Sequence, residues 1–201
     1  VNRIWQFHFG KGLVETPSNF GLTGFSSSHP QLLDWLAAEF VDHNWSIKHI
    51  HQLILNSATY KQSSNSRTRS EKANRVLDPH AVFLTRYPKR RHDAEVIRDR
   101  ILSASGAINL QMYGQGIHPR ISESIIGTST TRKWPTVEVE GPEHWRRSVY
   151  IFVRRSVLFP LLESLDAPVT TQSCERRMIT IVPTQALQLL NNPFSNDQAY
   201  V

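Results

Sequence analysis

An arginine set inside the apolar stripe of an amphipathic helix is the feature that most constrains this chain. The stretch RRHDAEVIRDRILSASG, residues 90–106, has a helix boundary at His92–Asp93 and a glycine stop at Gly106. Wound at about 100° per residue, Ala94, Ile97, Ile101, Ala104, Ser105 and Ile108 fall on one face. Arg98 lies within it, between Ala94 one turn before and Leu102 one turn after. A guanidinium among apolar neighbours is stable only when carboxylates or carbonyls meet its fixed fork of donors. Glu95 is nearest, at i−3, and Asp99 sits further round. The helix is therefore expected to carry a half-buried ionic network into a core.

The rest of the chain can supply that core. Its 201 residues, 39% hydrophobic and with five tryptophans, suit one globular domain. No apolar run reaches the roughly 18–20 residues needed to cross a bilayer. The opening NRIWQFHF reads as a helix already under way with no start methionine, so an excerpt of a longer protein is expected. Single Cys174 excludes an internal disulfide and a CxxCH haem attachment within this segment. The net charge of +6 raises polyanion binding. Arginine, however, comes in adjacent pairs: 90–91, 146–147, 154–155 and 176–177. Neighbouring side chains diverge, so each pair can turn one arginine inward and one outward, favouring structural ion pairs over a basic stripe.

Along the chain, residues 11–28 read as a long loop. Pro30 opens a helix, and Ser46 caps the next, giving a helical hairpin. Residues 61–75 are polar and form the one candidate boundary. Residues 109–147 predict irregular structure with one or two short strands. Ser148–Val153, SVYIFV, is the best strand candidate. Residues 157–165 read as a helix, either kinked or begun at Pro160, followed by helices from Pro183 and Pro193. The fold class expected is mainly α: an irregular helical domain spanning residues 1–201, with long loops and one minor β element near 148–153.

Candidate sites are few. Glu95, Arg98 and Asp99 could form an acid/base constellation, but an arginine lowers carboxylate pKa values and so suits an ion pair better. The structural network is assigned to Arg90, Glu95, Arg98, Asp99, Arg147, Arg154 and Asp166, with Asp166 or Glu163 expected to reach Arg98 or Arg154. Candidate ligand contacts are His51, on the apolar arc of its helix, and Trp134 and Trp145, in the irregular region where a ring could be exposed. The favoured reading of His51 is a core histidine bonded to backbone or carboxylate. Nine scattered histidines without HExxH or a tight Cys/His cluster predict no metal site. No catalytic residue is assigned.

Six blocks in series carry a resemblance: NRIWQFHFGKGLV, HPQLLDWLAAEF, WSIKHIHQLILNSATYKQSS, RRHDAEVIRDRILSASG, WRRSVYIFVRRS and VPTQALQLLNNPF. The sequence resembles planctomycete-specific domain one, the planctomycete domain of unknown function numbered fifteen fifty-three that accompanies cytochrome c domains. The resemblance covers the chain essentially end to end. It implies the C-terminal part of a large exported protein, extracytoplasmic (periplasmic or cell-surface), with haem carried only by a neighbouring segment. It brings no catalytic residue.

The function expected is a non-catalytic scaffold or interaction module whose partners are neighbouring domains of the same protein. The alternatives are an extracytoplasmic enzyme acting on polysaccharide, with Glu95, Asp99 or His51 open in a cleft, and a polyanion- or glycan-binding module. Exported context disfavours nucleic acid, and no cofactor is expected in this segment.

Overall fold

The computed structural model describes residues 1–65, 69–122, 134–155 and 157–201. They fold as two compact units, Val1–Arg90 and Arg91–Val201. The fold is mainly α: eight α-helices and no sheet among the described residues.

The first unit holds α1 (Asn2–Phe9), α2 (Pro30–Asp42), α3 (Ile47–Asn56) and α4 (Arg69–Leu77). Gly10 stops α1 in a left-handed conformation, φ 83°, and its amide bonds Gln6 O at 2.7 Å. Pro30 opens α2, and the Ser46 hydroxyl accepts the His49 amide at 3.2 Å to cap α3. The apolar stripes of these helices converge: Trp5, Phe9, Leu13, Leu36, Ile50 and Ile54 form the core, with α3 against both α1 and α2. The loop after α1 is tied down by Asn2, whose buried amide accepts from Val14 N–H and donates to Val14 O, both at 3.0 Å. Only glycine fits at position 12, because a Cβ there would lie 2.6 Å from Val14 O. The polar stretch 61–75 lies inside this unit and carries most of α4. Lys, Glu, Arg and Ala are strong helix formers, so a helix forms there without an apolar stripe to announce it.

The second unit holds α5 (Ala94–Ala104), a 3₁₀ turn (Ser148–Tyr150), α6 (Pro160–Ser164), α7 (Pro183–Asn191) and α8 (Pro193–Ala199). Helix α5 is central, packing on the 3₁₀ turn, α6 and α8. Leu102, Trp134, Ile151, Leu161 and Leu165 are buried around it. Gly106 ends the α5 segment at φ 78°, as its sequence predicts. Asn192 separates the last two helices, its side chain accepting the Phe194 amide at 2.9 Å.

SVYIFV does not form the expected strand. Its first three residues coil into the 3₁₀ turn. Only a bridge between Ile151 and Ile117 remains, made by Ile117 N–H to Tyr150 O at 2.8 Å and Phe152 N–H to Ile117 O at 2.9 Å. β-propensity marks residues that fit a half-buried pleated surface. Here Asp99 takes the Ser148 amide at 2.7 Å, a donor that a strand would have offered to a neighbour. The strands expected within 109–147 are likewise reduced to single bridges among the described residues, such as Asn109 with Arg146; residues 123–133 lie outside them.

Candidate functional site

Arg98 is fully buried, 0% exposed, and its fork is met by carbonyls rather than carboxylates. Nη1 donates to Arg146 O at 3.0 Å and Ser148 Oγ at 3.2 Å, and Nη2 donates to His144 O at 2.8 Å. The Phe194 ring lies 5.2 Å from the guanidinium carbon. Arg146, also buried, repeats the device. Its Nη1 donates to Gln115 O at 2.8 Å, its Nη2 to Gln111 O at 3.2 Å and to Tyr113 O, and its plane covers the Tyr150 ring. Two guanidinium groups thus hold the backbone of residues 111–115 and 144–148. These loops have no sheet to pair with, and their buried carbonyls need donors.

The carboxylates expected on Arg98 bond elsewhere. Asp99 Oδ1 caps the 3₁₀ turn. Glu95 is gripped bidentately by Arg177, at 2.5 and 3.0 Å. Asp99 meets the same loop as Arg98 but spends its oxygen on the Ser148 amide, and Glu95, about 60° round the helix from Arg98, faces Arg177. Burial works against the Arg98 charge, and Glu140 and Asp99 support it only at a distance. For Glu95, burial pushes the carboxyl up. The hydrogen bonds from Arg177 and from its own amide, with the Arg177 charge, outweigh this and hold it below the usual range.

Asp166 pairs with neither Arg98 nor Arg154. It accepts from Arg91 Nη2 at 2.6 Å, from the Thr180 amide at 2.8 Å and hydroxyl at 2.9 Å, and from Gln185 Nε2 at 3.2 Å. Burial raises its carboxyl, and these donors together bring it below its ordinary value. Asp166 sits at φ 61°, a left-handed position that aspartate tolerates better than most residues. Arg147 and Arg154 are exposed. In the pair 146–147 one arginine points in and the other out, whereas 154 and 155 both face solvent. The members outside the expected network are Arg91 and Arg146, the other halves of the doublets that hold Arg90 and Arg147, and Arg177, from a doublet with neither half in that network. The doublet was the only signal, and it does not say which half turns inward.

Beside the Glu95–Arg177 pair opens a cavity of about 410 Å³. Phe152, Val157, Phe159, Leu162, Pro168 and Val169 give it apolar walls, and Arg154, Glu163 and exposed Cys174 also line it. A general acid needs a raised carboxyl, and Glu95 is shifted the other way. Trp134 is not available to a ligand: it is 1% exposed, and its Nε1 donates to Pro119 O at 2.8 Å. Trp145 is half-buried against the same core.

His51 belongs to the first unit. Its Nδ1 lies 2.7 Å from His8 Nε2, so its partner is another imidazole, not backbone or carboxylate. The Tyr60 ring meets His8 edge-on at 5.5 Å, and Tyr87 Oη donates to His8 O at 2.7 Å. Burial, then His51, then Arg90 lower the His8 pKa. Arg90 belongs here as well: its Nη2 donates to Phe7 O at 2.5 Å. His8 was missed because residues 8 and 51 are brought together only by the packing of α1 on α3.

Among known proteins, the model of the family described as PSD1, protein of unknown function (DUF1553), matches residues 1–201. No curated protein and no solved structure matches.

Proposed function

The chain belongs to the PSD1 family, proteins of unknown function (DUF1553), and from that premise we propose that it is a non-catalytic scaffold and interaction module of an extracytoplasmic multidomain protein with c-type cytochrome segments. The observation that carries this reading is the engagement of the acidic groups around α5. Glu95, Asp99 and Asp166 are each committed to an arginine or to backbone and side-chain donors. What the second unit offers outward is the apolar cavity, which suits an inserted apolar side chain better than a polar sugar. Its partner is a neighbouring segment of the same polypeptide, and any haem is held there. No described helix is long and apolar enough to cross a membrane.

Three experiments test this. The complete reading frame is expected to encode an export signal and a CxxCH motif; a frame lacking both overturns the context. A photo-crosslinking amino acid in place of Val169, on the cavity wall, is expected to couple to another segment of the intact polypeptide. Sugar release from a polysaccharide panel that is abolished by Glu95→Gln would overturn the non-catalytic role.

A further inference from the structure

The first unit places two imidazoles and a carboxylate around one point, from residues no sequence motif links. Glu39 lies in the last turn of α2, His43 is the residue that caps that helix, and His49 is in the first turn of α3. Two successive left-handed residues, Asn44 at φ 54° and Trp45 at φ 58°, turn the chain sharply enough to lay His49 over His43. Their rings stack at 3.7 Å, 12° from parallel. Glu39 Oε2 lies 3.1 Å from His49 Nε2 and 3.3 Å from His43 Nδ1.

We propose that Glu39, His43 and His49 form a binding site for a divalent transition-metal ion of the zinc type. One potential ligand atom from each lies within 4.8 Å of the others. For metal–ligand bonds of about 2.0–2.1 Å in a tetrahedron, neighbouring ligand atoms stand about 3.3–3.4 Å apart, close to the spacings here. Two imidazoles with one carboxylate favour zinc, nickel, copper or cobalt over calcium or magnesium, which take oxygen ligands. Two imidazolium rings stacked this closely would repel, whereas two neutral rings can share one cation once the stack opens so that both lone pairs converge on it. Ser46 and the α3 backbone hold His49, and His43 Nδ1 also lies 3.0 Å from Glu39 O, so the metal must displace that contact. Asp42 and Gln52 line the same open cavity and offer further oxygens, while Lys48 on its rim opposes a second cation. Three protein ligands leave a coordination position open to solvent or to a partner's donor.

The test is titration of the metal-free chain with Zn²⁺ by calorimetry, and with Co²⁺ followed by its visible ligand-field bands. One equivalent is expected to bind, with bands indicating nitrogen ligation. His49→Ala and His43→Ala are each expected to weaken binding by at least the roughly 10–100-fold that even outer-shell partners cost. Glu39→Gln, which keeps shape and loses charge, should also weaken it. His80→Ala, at an exposed histidine outside the trio, should leave affinity unchanged. Circular dichroism of each variant separates lost ligation from lost fold. No binding into the millimolar range overturns the proposal. So does binding that survives His43→Ala/His49→Ala in a folded chain.

Discussion

His8 Nε2 stands 2.7 Å from His51 Nδ1, a distance that requires one proton between the two nitrogens and leaves no room for a second. The folded His8 pKa lies below 6.5, first through burial and then through His51 and Arg90. The unfolded chain protonates near 6.5. Between those values the unfolded state takes up a proton that the folded state refuses. Stability is therefore fully present above about pH 6.5 and falls as pH drops through that window. Urea midpoints between about pH 7.5 and about pH 5.5 should show the decline. His51→Gln removes the like charge while leaving an oxygen to accept from His8, and should make the decline shallower; an unchanged slope would remove the pair as its cause.

Arg98 satisfies two main-chain carbonyls and a hydroxyl from a fully buried position. Arg98→Ala leaves those groups unmet and opens a cavity, a loss of about 3–5 kcal/mol by analogy with broken buried polar networks. Arg98→Lys keeps the charge but cannot reach the same acceptors with a planar fork, and should recover less than half of that. Denaturant unfolding of both variants checks this, and a lysine variant as stable as the parent would contradict it.

The Glu95–Arg177 pair is half-buried and bidentate, and Glu95 is held below its ordinary 4.5. Its contribution is present above about pH 4.5 and is lost as pH falls through the folded value, where the carboxylate must protonate. A double-mutant cycle with Glu95→Gln and Arg177→Met is expected to give a coupling of about 1–2 kcal/mol at neutral pH. The same coupling should shrink toward zero in acid.

Asp166 combines a left-handed backbone with bonds to Arg91, Thr180 and Gln185. Asp166→Asn keeps the tolerance for positive φ and part of the hydrogen bonding. Asp166→Ala loses both, so its melting temperature should fall further, by an increment worth about 1–2 kcal/mol for the backbone alone. Equal losses would mean that the backbone conformation contributes little.

Much of the architecture could be read before any coordinates. The stop at Gly106, the proline starts at 30, 160, 183 and 193, and the Ser46 cap rest on a few adjacent residues whose conformational preferences act locally. Arg98's inward bearing followed from helical spacing. SVYIFV misled because the demand that decided it came from Asp99, far away in sequence.

The amino-acid order alone therefore settled a mainly helical chain, where most helices begin and end, and that a guanidinium faces a core. Which atoms meet that guanidinium, whether one, both or neither half of an arginine doublet turns inward, and that Glu39, His43 and His49 converge were settled only by packing. A cap or a periodic stripe depends on residues a turn apart. A hydrogen bond between Arg98 and a carbonyl some fifty positions away depends on how loops without a sheet come to rest, and no local preference encodes that.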